Sequence, residues 1–217
     1  MTLQFKSLIL LFISICLFTT SCKKSESEIN NLPTNLYFKN LTFNDDVRVY
    51  TREGEITNPV VRAKSILSTG IGLVAPQPNS SNHVTFLSNN SFLLYNDRYN
   101  FEKINETFFF KYIDSVIVGP EDDLVAALAL YKYPTAIKNN AGNYIYRRQF
   151  VGYGNYSALK ISGIDLGFLK RDTITGAIVK RLVGYELNEF NADGIKSLGK
   201  YDTIAVREYS YQYELIK

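Results

Sequence analysis

The strongest constraint on the fold is an alternation of apolar and polar residues with a period of two. It is clearest in AVREYSYQYEL, residues 205–215, where Tyr209, Tyr211 and Tyr213 fall on one face and polar residues fall between them. Arg207 is the one charge on the apolar face. Successive side chains of a strand point to opposite faces, so this period predicts a β-strand. Strands with one apolar and one polar face are typical of antiparallel sheets that are solvated on one side.

The same alternation recurs along the chain. Further examples are DVRVYTR (46–52), ETFFFKYI (106–113), NYIYRRQFV (143–151), YSALKIS (156–162) and AIVKRLVGYEL (177–187). In the last segment, Val179, Val183, Tyr185 and Leu187 share a face. Asn89-Asn90 separates two apolar runs and predicts a tight hairpin, because asparagine tolerates positive φ. Turns between strands are also predicted at Asn96-Asp97, Asn139 to Gly142 and Asp193-Gly194.

Helix signals are few. Asn58 can cap a helix that has Pro59 in its first position and that ends at Gly70, with Val60, Ala63 and Leu67 on one face. The segment DDLVAALALYKYP (122–134) suits either a helix or a buried strand, and we interpret it as a strand. A short helical turn is predicted near residues 195–198.

These patterns predict an all-β fold with one short helix near residues 58–69. Either an antiparallel meander barrel or a two-sheet β-sandwich accommodates the nine or ten strands. A full meander resembles lipocalin-like barrels, which enclose a small ligand when about eight strands close. This resemblance is architectural and therefore implies no specific function. Sixteen tyrosines and 14 phenylalanines fit either core, since aromatic residues favour strands and fill β cores.

The amino-terminal residues have the pattern of an export signal. A basic start, MTLQFK, leads into an apolar run at residues 8–18, which is shorter than the roughly 20 residues of a membrane span. The pattern is typical of a secretory signal peptide. The run ends in Thr19-Thr20-Ser21-Cys22, which resembles the lipobox of type II signal peptides in bacterial lipoproteins, although Thr19 stands where that family prefers leucine. The resemblance implies that Cys22 is diacylated and becomes the first mature residue; the alternative is an ordinary signal peptidase site.

The resulting organisation is a signal peptide (1–21), a polar tether (22–33) and a single β domain (34–217). Extended, the tether reaches at most roughly 40 Å. Lys23 follows the cysteine, and Glu26 and Glu28 resemble the acidic cluster that directs some lipoproteins to the cell surface. We therefore expect an outer-membrane lipoprotein, anchored in the membrane through its acyl chains and facing outward.

Composition excludes several functions. Lys plus Arg number 24 against 21 acids, a formal charge of +3 that does not favour nucleic acid. The chain has no cysteine after Cys22 and one histidine, His83, so the domain has no disulfide, no Cys/His zinc site and no cysteine nucleophile. We expect no metal, no cofactor and no catalytic residue, and we interpret His83 as a surface residue at the start of a strand.

Clusters of acidic residues are the remaining candidates for catalysis or metal binding. Two carboxylates flank the bond in a glycosidase, but solvent-facing positions on strands explain each possible pair: Glu53 with Glu55, Glu102 with Glu106, and Glu186 with Asp165. The acids of GPEDD (119–123) could hold Ca²⁺ loosely, yet they lack the ligand spacing of an EF-hand and are more typical of an acidic turn.

Asp is followed by Ser or Thr and an aliphatic residue at three places, beginning at Asp114, Asp172 and Asp202. The pattern resembles the acceptor motif for O-glycosylation of exported proteins in some Gram-negative bacteria, which would make Ser115, Thr173 and Thr203 the glycan sites. The alternative is that Asp starts a turn and a β-branched residue enters a strand.

The sequence thus predicts a lipid-anchored, non-enzymatic domain that binds a small molecule or assists a neighbouring outer-membrane protein. Two alternatives stay open: a lipocalin-like carrier of a small apolar ligand, and a hydrolase acting on glycans.

Overall fold

A computed structural model describes residues 32–43, 46–72, 83–118, 129–133 and 136–216. Cys22, most of the tether, the acidic segment 119–123 and residues 122–128 lie outside the described residues. The strands of the described part are β1 (Thr34–Phe43), β2 (Arg48–Thr51), β3 (Gly54–Glu55), β4 (His83–Ser88), β5 (Ser91–Leu94), β6 (Asp97–Ile104), β7 (Thr107–Tyr112), β8 (Val116–Val118), β9 (Ala136–Lys138), β10 (Tyr144–Tyr146), β11 (Gln149–Asn155), β12 (Ala158–Arg171), β13 (Ile178–Glu186) and β14 (Thr203–Glu214). The helices described are α1 (Pro59–Thr69) and a 3₁₀ helix (Ala192–Ser197).

Eight of the described strands form a closed antiparallel barrel. Around the barrel the order is β1, β4, β5, β6, β7, β11, β12 and β14, and β14 pairs with β1 to close it. Each neighbour follows in chain order, so the barrel is a meander. The all-β prediction is confirmed, and of the two predicted architectures the structure has the barrel. Closure leaves the barrel itself without an open edge.

A second sheet shares two long strands with the barrel. β12 and β14 pair along their whole common length, from Ala158 opposite Glu214 to Leu169 opposite Thr203. β11 pairs with the first part of β12, and β13 pairs with the second part. β2 and β3 extend the other side of β14. The second sheet therefore has the order β13-β12-β14-β2-β3, with its two central strands running on from the barrel wall.

Helix α1 covers one face of the second sheet. The Asn58 side chain accepts hydrogen bonds from the amides of Val60 and Val61 at 3.1 Å each, and Gly70 ends the helix with φ 72°. Both ends are as predicted. Thr69 in the last turn is buried beside Gly167, whose missing side chain leaves the space that Thr69 occupies.

The apolar face predicted for α1 does not make this contact. Val60, Ala63 and Leu67 are exposed, Leu67 to 80%. The helix packs instead through its last turn, where Ile66 lies against a small core of Val49, Ile71 and Ala205.

The 3₁₀ helix and residues 129–131 cover the other face of the second sheet. Leu130 and Leu198 pack against Ile164, Leu166 and other residues of β12 and β14 in a separate core. The predicted helical turn near residues 195–198 overlaps the end of this 3₁₀ helix, which ends at Ser197. The turn predicted between strands at Asp193-Gly194 is wrong, because both residues are helical.

Two predicted strands differ in the structure. Residues 143–151 divide into β10 and β11, because β10 belongs to a separate three-stranded sheet, β8-β10-β9, whereas β11 enters the barrel. Of the strand predicted at 122–134, residues 129–133 are described, and Tyr131 forms only an isolated bridge to Phe190. The hairpin at Asn89-Asn90 joins β4 to β5 as predicted.

Aromatic rings from non-adjacent strands meet inside the barrel. The ring of Phe86 on β4 lies 5.2 Å, centre to centre, from that of Phe108 on β7, and 4.8 Å from that of Tyr156 in the β11–β12 turn. Phe92 and Phe110 are 4.4 Å apart. Rings at these distances are in contact, so aromatic side chains fill the interior next to β4, β5 and β7. Within the described residues, no helix has both the length and the apolar character that a membrane span requires.

Candidate functional site

An open pocket of about 650 Å³ lies beside the 3₁₀ helix, between residues 129–132 and 191–197. Its lining includes the aromatic Tyr131, the cationic Lys132 and Lys196, the anionic Asp193, and the polar Asn191 and Ser197. Clefts of this size that carry a few polar groups are the usual form of small-molecule sites.

Asn191 fixes the two walls of the pocket together. Its side-chain oxygen accepts a hydrogen bond from the amide of Asp193 and so caps the 3₁₀ helix. Its side-chain amide donates to the carbonyl of Ala129 at 3.0 Å, and its backbone amide donates to the carbonyl of Leu130 at 2.8 Å. Gly194 lies so close to Ala129 that a Cβ there would stand 2.0 Å from the carbonyl oxygen. The pocket shape thus depends on backbone contacts.

A network of hydrogen bonds holds Lys132 at the pocket rim. The ammonium group of Lys132 donates to Glu189 at 2.7 Å. Glu189 also accepts from the hydroxyl of Tyr153 on β11 and, at 3.4 Å, from that of Ser162 on β12. Burial alone would raise the pKa of Glu189, but the hydrogen bonds from Lys132, Tyr153 and Ser162 lower it. Glu189 is therefore an ionised anchor for Lys132.

Asn188 links the segment after β13 to Tyr133 and to the start of β11. The side chain is 1% exposed, and its amide donates to the carbonyls of Tyr133 at 3.1 Å and Gln149 at 3.2 Å. Its oxygen accepts from the amides of Tyr133 and Glu189. Both polar atoms of this buried side chain are satisfied, which rigidifies the segment that positions Glu189.

The chemistry of the pocket suits binding. The hydroxyl of Ser197 donates to the carbonyl of Gly194 at 2.6 Å, so its proton is engaged by the backbone and no base activates it. The lysines offer positive charge, Asp193 offers a carboxylate, and Asn191 and Ser197 offer neutral polar groups. Such a set can hold a small polar ligand that carries hydroxyl groups for Asp193 and a carboxylate or another anionic group for the lysines.

A buried ion pair lies on the face of β12 and β14 that continues into the barrel. Nε of Arg207 donates to Oδ2 of Asp165 at 3.2 Å, and a second guanidinium nitrogen donates to the same oxygen. The guanidinium also lies 4.4 Å from the ring centre of Phe43. Burial raises the pKa of Asp165, and the hydrogen bond and charge of Arg207 oppose that rise. This pair explains why one arginine interrupts the tyrosine face of β14.

The structure separates the predicted acid pairs from any shared site. Glu186 lies opposite Ile164, whereas Asp165 lies opposite Tyr185, so the two carboxylates point to opposite faces of the sheet. Burial raises the pKa of Glu186. Arg148 and Tyr146 lie beside Glu186 and oppose that rise. The other pairs stand on exposed surface: Glu53 with Glu55, and Glu102 with Glu106. Within the described residues, no group of three or more histidine, cysteine or acidic side chains could hold a metal ion.

The remaining predicted positions lie apart from the pocket. His83 is exposed and begins β4, as predicted, with its ring 5.9 Å from that of Tyr37. Ser115 and Thr173 are exposed. Thr203 is buried beside Asp202, whose carboxylate accepts hydrogen bonds from the amides of Gly199 and Arg171.

Sequence reasoning missed the residues of the pocket, and it was wrong to explain Asp165 by a solvent-facing position on a strand, because Asp165 is 2% exposed. Asp165 is a lone acid within the apolar stretch ISGIDLGFL, and Arg207 is a lone base on an apolar face. Two such exceptions on neighbouring strands were a usable signal for an ion pair. Lys132, Glu189 and Asn191 had no comparable signal, since they come together only through the tertiary fold. Comparisons of the chain with models of protein families, with curated proteins and with solved structures found no match in any of the three.

Proposed function

We propose that this chain is a lipid-anchored, non-enzymatic binding domain of the outer membrane, which holds a small anionic ligand in the pocket beside the 3₁₀ helix. The observation that carries the binding role is that Lys132, fixed by Glu189, and Lys196 line an open pocket together with Asp193, and that this pocket has no activated nucleophile. The acidic candidates for catalysis are either exposed or tied into ion pairs.

The anchor belongs to the same proposal. Cys22 follows an apolar run of export length, and β1 begins twelve residues after it, at Thr34. Two acyl chains on Cys22 hold a protein in a bilayer, whereas one chain binds only marginally. The residues after Cys22 favour the outer membrane and its outward face.

The two alternative functions have less support. A carrier needs empty apolar space in the barrel, and contacts such as Phe86–Phe108 place rings in its interior. A glycan hydrolase needs two converging carboxylates, and Asp165 and Glu186 face opposite sides of one sheet.

Replacing Cys22 tests the anchor. Cys22→Ser should leave the precursor uncleaved and without acyl mass, and the wild-type protein should fractionate with the outer membrane. A wild-type protein found wholly in the soluble fraction, with an unmodified amino terminus, would overturn this part of the proposal.

Titration with glucuronate and with inorganic phosphate tests the pocket. We expect chemical-shift changes at residues 129–132 and 191–197, and their loss in Lys132→Met and Lys196→Met. Lys200→Met is the matched control, because Lys200 lies over the ring of Tyr201 and outside the pocket lining. Equal binding by all three variants would contradict the assignment. Turnover of a glycan or ester library by the purified protein would contradict the non-enzymatic role.

We also propose O-glycosylation at Ser115 and Thr173, and we leave out Thr203 because it is 8% exposed in the folded chain. Intact-mass measurement of the mature wild-type protein and of the Ser115→Ala and Thr173→Ala variants tests for the glycans. A mass without any hexose-sized increment would contradict it.

A further inference from the structure

The chain enters the barrel at one end, and the proposed lipid anchor is joined to that end. β1 begins at Thr34, beside the end of β4, and its Tyr37 pairs with Glu214 at the end of β14. Leu32 stands ten residues after Cys22, and a fully extended connection between them spans at most about 35 Å. We call this end of the barrel the entry rim. It consists of residues 32–34, the turns β4–β5, β6–β7 and β11–β12, and residues 215–216.

The entry rim carries exposed apolar side chains on neighbouring segments. Ile104 at the end of β6 is 51% exposed, and Leu215 and Ile216 after β14 are 42% and 71% exposed. Two backbone hydrogen bonds connect these segments through the β11–β12 hairpin. The amide of Leu215 donates to the carbonyl of Ser157 in its turn at 3.0 Å, and an amide of β11 donates to the β6–β7 turn at 2.7 Å. The three apolar residues therefore lie along one continuous part of the rim.

The turns of the entry rim carry little charge. They comprise Asn89-Asn90, Asn105-Glu106 and Tyr156-Ser157, and Glu106 is the only charged residue among these six. The far end of β12 differs, because Lys170 there pairs with Lys180 of β13. A surface that meets acyl chains must bury few charges, since removing an unpaired charge from water is costly. Of the two ends of β12, the one at the rim is therefore the better suited to lipid.

We propose that the entry rim docks on the bilayer in which Cys22 is anchored, with its three exposed apolar side chains inserted among the headgroups. This inference rests on the lipid anchor proposed above. Because the tether keeps this end of the domain near the bilayer, weak apolar contacts are sufficient to orient it. From Ala158 at the rim to Arg171 in the second sheet, β12 spans about 40 Å at roughly 3.3 Å per residue. The second sheet and the ligand pocket beside it then point away from the lipid.

Single tryptophans test this orientation, because the chain has no tryptophan of its own. Ile104→Trp and Ile216→Trp place the probe on the entry rim. Ile174→Trp is the matched control, since Ile174 is 88% exposed in the turn between β12 and β13, beyond the far end of β12. The mature chain has Cys22 as its only cysteine, so its thiol can be coupled to a maleimide lipid in phosphatidylcholine vesicles. This coupling anchors the chain whether or not the cell acylates it, so a failure of docking is distinct from a failure of the proposed anchor.

Vesicles with brominated acyl chains quench a tryptophan that contacts them. We expect both rim tryptophans to lose fluorescence in brominated vesicles relative to unbrominated ones, and Ile174→Trp to lose none. Quenching of neither rim tryptophan would mean that the domain stands clear of the bilayer and would overturn the proposal. Quenching of Ile174→Trp, alone or as strongly as the rim, would overturn it as well.

A second set of variants tests whether the apolar contacts cause the docking. In the Ile104→Trp chain, Leu215→Ser with Ile216→Ser should lower the docking constant about tenfold or more, seen as a loss of quenching. Val60→Ser with Leu67→Ser removes exposed apolar groups from α1 instead and should leave the quenching unchanged. Equal quenching in both double variants would contradict the role of the rim residues. Circular dichroism of each variant checks that the fold is kept.

Discussion

Gly163 and Tyr209 are a cross-strand pair in which the missing side chain of one residue makes room for the ring of the other. A Cβ at Gly163 would stand 2.3 to 2.7 Å from the ring carbons and hydroxyl of Tyr209, which is fully buried. Gly163→Ala should therefore force Tyr209 out of its position and lower the free energy of unfolding by about 1 to 3 kcal/mol. Urea unfolding measures this loss.

Gly184→Ala is the control for that prediction. Gly184 lies in the neighbouring β13, and a Cβ there would meet no atom within 4 Å. The substitution should change the free energy of unfolding by less than about 0.5 kcal/mol. Equal effects at the two glycines would show that the contact with Tyr209 does not restrict Gly163.

The Asp165–Arg207 pair illustrates what single residues in a sequence can and cannot indicate. Each residue stands out in the sequence alone as a single charge in an apolar setting. The partner of each did not follow, because the register of β12 against β14 decides it: Asp165 lies opposite Arg207. Register depends on the whole sheet, and the sequence pattern alone fixes only the face.

Breaking this pair should make stability depend on pH. Arg207→Met leaves the buried Asp165 without its counter-charge and should cost about 3 to 5 kcal/mol at pH 7. Burial raises the pKa of Asp165, so the folded state binds a proton more tightly than the unfolded state. The cost should be largest above the raised pKa and should shrink as the pH falls toward about 3.9, the unfolded value.

Urea unfolding of Arg207→Met between pH 4 and pH 7 measures this dependence. Asp165→Asn combined with Arg207→Met has no carboxylate at this position, and its loss of stability should not shrink on acidification. The same pH profile in both proteins would contradict the role assigned to Asp165.

Among the elements, α1 shows that helix ends are easier to predict than helix contacts. Asn58, Pro59 and Gly70 act locally, through hydrogen bonds and backbone angles that their own chemistry determines. The contact face depends on the sheet that the helix meets. That sheet offers the gap at Gly167, so Thr69 is buried and the apolar Leu67 is not.

Removing the cap should loosen α1 alone. Asn58→Ala loses the acceptor for the amides of Val60 and Val61 and should lower the free energy of opening the helix by about 1 kcal/mol. Helix amides such as those of Arg62 and Gly70 should then exchange about fivefold faster. Asn58→Asp keeps an acceptor at the same position and should exchange at nearly the wild-type rate. Unchanged exchange in Asn58→Ala would contradict the capping role.

For the whole molecule, the alternation of period two was sufficient to predict an all-β domain with a meander barrel among its two architectures. It could not predict the second sheet. YSALKIS predicted only the start of β12, because the stretch IDLGFL that follows (164–169) is buried on both faces and no longer alternates. The pocket beside the 3₁₀ helix could not be predicted from the sequence either. It is lined by residues 129–132 and 191–197, which only the packing of two irregular segments brings together.

Because β12 and β14 belong to both sheets, we expect the barrel and the second sheet to unfold together. Hydrogen exchange of peptides from Ile161 to Leu169 and from Ile204 to Tyr213 should occur only through global unfolding, with one common free energy. Peptides from β3 and from α1 should exchange through smaller, local openings. Two separate values for the halves of β12 would contradict a shared cooperative unit.

The first barrel strand closes against the last, and this determines when the barrel can form. Tyr37 pairs with Glu214, so the closing contacts join residues about 170 positions apart in the chain. Contacts between such distant residues form slowly, since a long loop must be ordered before they do. Until residue 214 has emerged from the ribosome, no barrel can close. On the export route proposed above, this delay would let the chain pass through a translocon while it is still unfolded.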